Sequence, residues 1–504
     1  MRKYRLQRTN CMMAAGAVEK IEQFLKASAE PALLEPGEEP FAMRDGCYAV
    51  EARGTRLTIQ VWDERRNLVR RITGVRGERP GQLDLAVVRF GGEEGSISLI
   101  DRARARREVE RRGARMVFRE QFRRYLSRQY PGWNIAELST EANLEESLSP
   151  VYPRAFLKRG AAGWAAIGAP PGTAAGALTF GLVWLEYLRK RELRLTVEGL
   201  AIFLAEDEAC ATCLRLAFLN PNAARYAVFV YSEHGYEERI DPADFGNLDT
   251  RMEACATRPR LSDAASEALI ERLCELPYVE RRLRPDGHVS LQVRGLEFAR
   301  SSRAGLTFGM RQRAKLTGQN LGEAMQLARE VARMRSAKAM DRGNPLYRLR
   351  PEGWLESELR RDIQSVDATL LAAPVYGQVP SMAGRERGVL DLLAVDCTGR
   401  LAVIEVKASE DIQLPLQALD YWMRVKWHAE RGEFAAHGYF PGIELRCDWP
   451  RLLLVAPSLS FHPKTETVLR FFSPSIEIER VGLGVEWRQG PSVVFRLRGA
   501  ERPA

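Results

Sequence analysis

Apolar and polar residues alternate along this chain with two different periods, and the period changes from region to region. In the first hundred residues, Arg56–Trp62 and Gly95–Ile100 alternate apolar with polar side chains at every second position. That period is typical of half-buried β-strands, and the Gly- and Arg-rich stretches between such runs are typical of turns. The pattern predicts a β-rich N-terminal domain over residues 1–105.

Helical and strand patterns alternate in the region that follows. Asp101–Arg128 and Ala174–Arg191 have the length and composition of helices. Short apolar runs predict strands at Gly163–Gly168, Glu198–Leu204, Cys213–Leu219 and Tyr226–Tyr231. We therefore expect an α/β domain over residues 106–260. Residues 261–345 are predicted to be a mainly helical connecting region, which ends where Gly343-Asn344-Pro345 breaks the pattern.

The last region, residues 346–504, combines both periods in a compact order. The predicted elements are helix Trp354–Val366, strands Val389–Val395 and Leu401–Lys407, helix Leu414–Trp427 and strand Leu452–Ala456. A short turn containing Gly399 joins the first two strands into a hairpin. This order predicts a three-layer α/β domain, and the whole chain is expected to be an α/β (α+β) multidomain protein.

The net charge of the chain indicates the kind of partner that the protein binds. The 504 residues include 75 Lys and Arg against 66 Asp and Glu, which gives a net charge of +9 and suits a polyanionic partner. Two basic clusters are candidates for nucleic-acid binding: Arg104, Arg107 and Arg111 on the predicted helix, and Arg311 with Arg313 further on. For the first cluster a solvated helix face is favoured over phosphate binding, because Glu108 and Glu110 interrupt the run of arginines.

Several classes of protein are excluded by what the chain does not contain. It has no GxxxxGK[ST] motif and hence no NTPase site of that kind. Its longest apolar stretch, Ala174–Leu185, is too short to span a membrane, and no secretory signal is evident, so we expect a cytoplasmic protein. Cys210 and Cys213 form a lone CxxC, which favours buried reduced thiols over a zinc site.

Charged residues interrupt the two apolar strands of the C-terminal hairpin. Asp391 lies within one strand, and Glu405 and Lys407 stand two positions apart on the next. Because strand side chains alternate, Glu405 and Lys407 project from the same face about 7 Å apart, and hairpin pairing can bring Asp391 beside them. Buried charges are costly unless they pair or bind metal, and carboxylate oxygens suit Mg²⁺ or Mn²⁺.

Asp391 followed by Glu405-Val406-Lys407 resembles the motif of the PD-(D/E)xK nuclease superfamily. The following helix carries Gln417 and Tyr421, similar to the QxxxY element of its RecB-like branch, and Gly388–Lys407 also looks like archaeal single-strand or mismatch endonucleases. Glu356 matches the acid that precedes the hairpin in many members, with Glu352 and Glu358 as alternatives. The resemblance covers about residues 350–460 and implies a restriction-endonuclease-like αβββαβ core.

This resemblance implies a metal-dependent nuclease that hydrolyses phosphodiester bonds in DNA, which is favoured, or RNA. Asp391, Glu405 and the carbonyl of Val406 are expected to hold Mg²⁺ or Mn²⁺, with Glu356 orienting a ligand water or a second ion. Lys407 is expected to position the attacking water or to help deprotonate it. Gln417 and Tyr421 are expected to orient the substrate, and a homodimer is possible. The alternatives are an inactive nuclease fold that binds nucleic acid or assembles with other proteins, and a purely structural Glu405–Lys407 ion pair.

The middle region repeats the predicted order of the C-terminal one. The matched segments are Val117–Tyr130 with Trp354–Val366, Gly163–Gly168 with Leu401–Lys407, Leu178–Arg191 with Leu416–Glu430, and Glu198–Leu204 with Leu452–Ala456. The middle region has no Asp and no Glu-x-Lys at the matching places, where Trp164–Gly168 stands instead. Residues 106–260 are therefore either a degenerate nuclease-like copy or an α/β region with the same order by chance.

Overall fold

The computed structural model describes residues 16–35, 40–44, 46–53, 56–62, 67–88, 94–232, 236–245, 250–255, 259, 264–284, 286–302, 305–383 and 386–501. Within these ranges it describes all side chains except those of residues 53, 94, 105–112, 245, 378–383 and 386–389. The chain divides into two compact units, Met1–Phe118 and Arg119–Ala504. Over the described residues, no helix is both long and apolar enough to cross a membrane.

The first unit is built around an antiparallel half-barrel sheet. Its strands, in the spatial order β2-β1-β7-β6-β5-β4-β3, are β1 Pro31–Leu34, β2 Phe41–Ala42, β3 Tyr48–Arg53, β4 Arg56–Trp62, β5 Asn67–Arg79, β6 Gln82–Val88 and β7 Glu94–Asp101. Residues 16–27 form helix α1, which packs Ala17 and Ile21 on this sheet. The predicted alternation holds in β4, where every second residue is buried. The β-rich N-terminal fold is confirmed.

The long helix α2, Arg102–Gln129, leads into a second sheet. Its strands are β8 Asn134–Ser139, β9 Arg154–Arg159, β10 Ala162–Gly168, β11 Thr196–Ala205, β12 Arg225–Tyr231 and β13 Glu237–Ile240. Strands β8, β9 and β10 pair antiparallel, β10–β11 and β11–β12 pair parallel, and β13 is antiparallel again. Helices α3 (Ala177–Arg191) and α4 (Ala209–Leu216) form the two parallel crossovers.

Two secondary-structure predictions are wrong. The apolar run Cys213–Leu219 belongs largely to helix α4, because Ala209, Thr212, Cys213 and Leu216 are buried at helical spacing. Residues 261–345 are not mainly helical, since an antiparallel sheet lies between helices α5 (Ala264–Cys274) and α6 (Leu321–Met334). Its strands are β15 Glu280–Leu283, β16 Val289–Val293, β17 Leu296–Ser302, β18 Gly305–Phe308 and β19 Ala314–Lys315. These strands are short and rich in Arg, Glu and Ser, so their apolar alternation is weak.

The C-terminal sheet has the order β14-β20-β21-β22-β23-β24-β25. Its strands are β14 Thr250–Met252, β20 Tyr376–Ala383, β21 Glu386–Val395, β22 Leu401–Val406, β23 Arg451–Pro457, β24 Ile478–Leu483 and β25 Val493–Arg498. The helices of this region are α7 Pro345–Arg348, α8 Pro351–Arg361, α9 Leu414–Glu430, α10 Glu433–Ala436 and α11 Thr465–Leu469. Helix α8 packs on one face and α9 on the other, which gives the expected three layers.

The second sheet and the C-terminal sheet have the same topology. Strands β20, β21 and β22 pair antiparallel, β22–β23 and β23–β24 pair parallel, and β25 is antiparallel, as in β8 to β13. In each sheet a helix connects each parallel pair: α3 and α4 in one, α9 and α11 in the other. Helices α3 and α9 bury their apolar faces in one shared core. The repeated order of elements in the sequence therefore corresponds to a repeated strand topology.

One turn between neighbouring parts of the second unit tolerates only glycine. Gly295, in the two-residue turn between β16 and β17, has φ +72°, and a Cβ there would overlap the carbonyl oxygen of Gly353 in α8. Gly295→Ala is therefore expected to lower the free energy of unfolding by about 2–4 kcal/mol, from left-handed strain and overpacking together. Chemical denaturation measures this, with Gly322→Ala in α6, which meets no atom within 4 Å, as the control. Equal stability of the two variants would contradict the packing of this turn on α8.

Candidate active site

Strand pairing places Asp391 and Glu405 next to each other. The ladder between β21 and β22 pairs Leu392 with Ile404, and Asp391 and Glu405 are the next residues along the two strands. The backbone N–H of Val406 donates a hydrogen bond to Asp391 Oδ2 over 2.9 Å. Residues opposite each other on antiparallel strands project from the same face of the sheet. Asp391 and Glu405 therefore meet at the end of the hairpin, as the sequence predicts.

The face that carries these residues is the one covered by α9. Leu401 and Val403 of β22 belong to the core that includes α9, whereas Ala402 and Ile404 belong to the core that includes α8. Because strand residues alternate, Glu405 shares the face of Leu401 and Val403. Asp391 of β21 and Glu405 of β22 therefore lie on the face of the sheet that α9 covers.

Glu405 is buried and Asp391 is half-buried, and these surroundings oppose the ionisation of both carboxyl groups. Glu405 is 2% exposed, and burial, followed by the negative charge of Asp391, raises its pKa well above the ordinary value. Burial also raises the pKa of Asp391 to about 7, although the Val406 N–H counteracts it. Glu405 Oε2 is buried and accepts no hydrogen bond from any residue that the structure describes. One buried and one half-buried acid, with an unpaired carboxylate oxygen on Glu405, leave the site short of positive charge.

Lys407 supplies part of that charge. Its Nζ lies 3.5 Å from Glu405 Oε1 and 3.9 Å from Asp411 Oδ2. Burial alone lowers the pKa of Lys407, but the carboxylates of Glu405, Glu352, Asp391 and Asp411 together raise it above the ordinary value. The ammonium group therefore stays protonated at neutral pH.

The three acids of α8 lie in different surroundings. Glu356 is buried, and its Oε1 accepts a hydrogen bond over 2.9 Å from Nη1 of Arg282 in β15. Glu358 is paired with Arg361 at 2.8 Å on the same helix. Glu352 is half-buried. After burial and nearer groups, its charge raises the pKa of both Asp391 and Glu405.

Glu352 therefore acts electrostatically on the acids of the site and on Lys407. Glu356 also contributes to the raised pKa of Asp391, but its own charge is compensated by Arg282. The sequence leaves open which α8 acid serves the site. Glu352 is the α8 acid whose charge acts on Asp391, Glu405 and Lys407 together, whereas Glu356 acts on Asp391 and holds α8 to β15.

Helix α9 brings two further predicted residues to the layer above the site. Gln417 is half-buried, and within the described part of the chain its buried Oε1 has no hydrogen-bond partner. Tyr421 lies one turn further along, and the guanidinium of Arg424 stands 5.8 Å from its ring centre. Residues four apart share one side of a helix. Besides Oε2 of Glu405, Oε1 of Gln417 is thus a buried polar atom without a hydrogen-bond partner among the described residues, and it lies on the helix that covers the acids.

The site offers a metal ion two carboxylates, which is fewer than the full set of protein ligands that a metal ion can have. Across the described residues, no three His, Cys, Asp or Glu side chains are grouped closely enough to hold a metal ion. Asp391, Glu405 and the main-chain carbonyl of Val406 fit an ion that keeps several water ligands, which is the usual behaviour of protein-bound Mg²⁺. The unpaired Oε2 of Glu405 and the repulsion between the two acids also fit a cation between them.

The predicted basic clusters are placed differently. In the first unit, Arg104 is exposed and packs its side chain over Gly81, while the side chains of Arg107 and Arg111 lie outside the described residues. In the second unit, Arg311 is exposed, and Arg313 is paired with Glu297 over 2.5 Å. Contact of these arginines with nucleic acid stays a prediction.

Sequence reasoning missed three charged neighbours of the site. Asp411 follows Lys407 by four residues in the loop before α9, a spacing without a distinctive signal. Arg282 is 74 positions away from its partner Glu356 in the chain. Burial, and then the charge of Arg282, lower the pKa of Arg360 in α8 to about 10. Arg282 comes near the α8 acids through packing of the five-strand sheet, whereas Arg360 lies on α8 itself.

The raised pKa values of Asp391 and Glu405 predict a pH-dependent stability. Their folded-state values exceed those of the unfolded chain, so the folded protein binds more protons between about pH 4 and pH 7 and loses stability as pH rises through that window. In metal-free buffer at pH 7.5, Asp391→Asn should raise the free energy of unfolding by about 1–3 kcal/mol, with a smaller gain at pH 5. Thermal melts in a chelator at both pH values measure this.

Asp396→Asn is the matched control for that measurement, because hydrogen bonds from Thr398 and Arg400 lower the pKa of Asp396 despite its burial. This variant should lose stability at pH 7.5 rather than gain it. An Asp391→Asn protein that also melts below the parent at pH 7.5 would show that the Asp391 carboxylate stabilises the metal-free fold.

The α8 acids give a second prediction. Glu356→Gln should lower the free energy of unfolding by about 1–3 kcal/mol, because it leaves the buried Arg282 with Glu280, at 3.5 Å, as its remaining charged partner. Glu352→Gln should change stability by less than about 1 kcal/mol, because Glu352 is only half-buried, yet it should weaken Mn²⁺ binding. Thermal melts and Mn²⁺ titrations of both variants separate the two roles. If Glu356→Gln weakens Mn²⁺ binding and Glu352→Gln instead destabilises the fold, Glu356 is the α8 acid that serves the site.

Comparison with known proteins adds no assignment of family. No protein-family model matches the chain, and no curated protein matches it. Any function therefore rests on the acids Asp391 and Glu405, the ammonium of Lys407 and the strand topology that brings these groups together.

Proposed function

We propose that this protein is a divalent-metal-dependent nuclease that hydrolyses phosphodiester bonds, with DNA favoured over RNA as substrate. One observation carries the proposal: the buried Glu405 and the half-buried Asp391 are neighbours, and Oε2 of Glu405 accepts no hydrogen bond from the described residues. Folding alone does not favour such a pair, because burial raises the pKa of both carboxyl groups, the charge of Asp391 raises that of Glu405 further, and stability at neutral pH falls. A cation removes that repulsion.

Asp391, Glu405 and the carbonyl of Val406 would hold the ion, Mg²⁺ or Mn²⁺. When bound, such an ion lowers the pKa of a coordinated water and neutralises charge that develops on the scissile phosphate. The Val406 N–H bond to Asp391 Oδ2 fixes the orientation of that carboxylate. The remaining lone pairs of Asp391 and both oxygens of Glu405 stay directed to the site or to Lys407.

Lys407 is suited to hold a water molecule and a phosphate oxygen, not to remove a proton. Its pKa is raised, so the ammonium form persists through the neutral range. A protonated amine donates hydrogen bonds only. Glu352, the half-buried α8 acid, is the carboxylate available to orient or accept a proton from water at this edge of the sheet.

Gln417 and Tyr421 would contact the substrate rather than take part in bond breaking. Gln417 keeps its amide oxygen without a partner among the described residues, on the helix above the acids. Amide and phenol groups bind sugar and phosphate oxygens through hydrogen bonds. The net charge of +9 favours approach of a polyanion to the protein as a whole.

Two substitutions test the proposal. Lys407→Ala should reduce Mg²⁺-dependent cleavage by about 100-fold or more and leave metal binding in place. Asp391→Ala removes a ligand, so cleavage and metal affinity should fall together. Cleavage of single-stranded, double-stranded and branched DNA, with RNA in parallel, measures the first effect, and Mn²⁺ titration measures the second. Lys426→Ala, which removes an α9 lysine paired with Glu430, is the control and should cleave normally.

The alternatives give different results. If Glu405 and Lys407 are only a structural ion pair, Lys407→Ala should destabilise the fold by about 3–5 kcal/mol and the parent protein should show no metal-dependent shift in melting temperature. If the fold is retained for binding or assembly, nucleic acid should bind without cleavage in either Mg²⁺ or Mn²⁺. Either outcome would overturn the nuclease proposal.

A further inference from the structure

The second unit contains two modules of the same topology, and only one of them has acids at the site. We call β8–β13 with α3 and α4 the middle module, and β20–β25 with α8, α9 and α11 the C-terminal module. Both have three antiparallel strands followed by two parallel crossovers and one antiparallel strand. Equivalent segments of the two modules contact each other in two places, and these contacts show how the modules are oriented.

The first of these contacts joins the two crossover helices at their N-termini. Gly176 is the residue before α3, and Gln413 is the residue before α9. Nε2 of Gln413 lies 3.0 Å from the position that a Cβ of Gly176 would take, and Thr179 Oγ1 donates to Gln413 Oε1 over 2.7 Å. Equivalent residues of the two modules thus lie side by side.

The second contact joins the segments that follow α4 and α11. Leu219 and Phe472 form an antiparallel bridge. Asn220 N–H donates to the Phe471 carbonyl over 2.7 Å, and Ser473 N–H donates to the Phe218 carbonyl over 2.9 Å. Antiparallel pairing of equivalent segments is what a two-fold axis produces in a homodimer. The chain is therefore arranged as an internal pseudo-dimer.

Backbone hydrogen bonds align the two sites residue by residue. At the end of β10, Ala169 N–H donates to the Phe203 carbonyl over 2.9 Å. At the end of β22, Lys407 N–H donates to the Val455 carbonyl over 3.0 Å in the same way. Ala169 therefore stands at the position of Lys407 in the C-terminal module.

The acids of the C-terminal module are replaced in the middle module. Ile167, two residues before Ala169, corresponds to Glu405, and the residue paired with Ile167 across β9 and β10 is Arg154. Arg154 thus corresponds to Asp391. It is 5% exposed, its Nη2 donates to the Glu141 carbonyl over 2.7 Å, and its guanidinium lies 5.5 Å from the ring centre of Trp184.

An arginine and an isoleucine in these positions cannot serve as metal ligands. The guanidinium of Arg154 is cationic and repels a divalent ion, and Ile167 has no donor atom. The pseudo-dimer has two equivalent positions but a single set of metal-binding acids.

From this arrangement we infer that the protein cuts one strand of a DNA duplex in each binding event, so that its product is a nick. The inference rests on the proposed nuclease activity of Asp391 and Glu405. Two-fold arrangements of protein modules match the two antiparallel strands of a duplex. Here one module carries the acids for one strand, and the module that would face the other strand is inert.

Cleavage of supercoiled plasmid tests the inference. With protein below the plasmid concentration and Mg²⁺ present, nicked circles should form first, and linear DNA should appear only after a lag, through independent second cuts. Both products should be absent with Asp391→Ala. Linear DNA that forms from the first time points, in step with nicked circles, would overturn the inference. Cleavage of single-stranded DNA without nicking of the plasmid would overturn it too and leave the nuclease proposal standing.

A binding measurement tests the single set of ligands without relying on activity. Asp391→Ala should lose all saturable Mn²⁺ binding, whereas Glu141→Gln, which removes an exposed carboxylate of the middle module near Arg154, should keep it. Isothermal titration of Mn²⁺ into each variant measures this. Saturable binding that survives Asp391→Ala and disappears in Glu141→Gln would place a second metal site in the middle module and overturn the inference. No cleavage of any DNA or RNA would instead overturn the proposed function.

Discussion

The register between β21 and β22 is the constraint on which the site depends. Leu392 pairs with Ile404, so Asp391 and Glu405 are brought to the same face one step further along. A shift of one residue would move Asp391 to the opposite face of the sheet and separate the acids. Buried apolar residues on both faces, packed against α8 and α9, oppose such a shift. The Val406 N–H bond to Asp391 adds a specific polar contact at the end of the hairpin.

Electrostatic repulsion is the consequence of that register. Asp391 raises the pKa of the buried Glu405, and the charge of Glu352 raises the pKa of both acids. Lys407 supplies an ammonium group that opposes these negative charges. A folded domain with no function at this place would gain stability by replacing an acid with an apolar residue of similar size. Such local loss of stability is common where a protein binds a ligand or performs chemistry.

The two helices of the site are held by residues from other parts of the second unit. Arg282 of the five-strand sheet is paired with Glu356 of α8 at 2.9 Å. Arg215 of α4 is paired with Asp420 of α9 at 2.7 Å. Both arginines are largely buried, so these ion pairs are sensitive to loss of either partner. The five-strand sheet and the middle module therefore contribute to the position of α8 and α9 although neither supplies a metal-binding acid.

The sequence by itself determined the local elements and the residues Asp391, Glu405 and Lys407, because alternation and charge within apolar strands are local properties. It did not determine which α8 acid serves the site, since the partner of Glu356 lies far away in the chain. It also missed the short strands within 261–345, whose stability comes from pairing with one another. The correspondence between the two modules rests on backbone hydrogen bonds, because the middle module keeps none of the charged motif. Only tertiary structure decides such features, since they depend on contacts between residues distant in sequence.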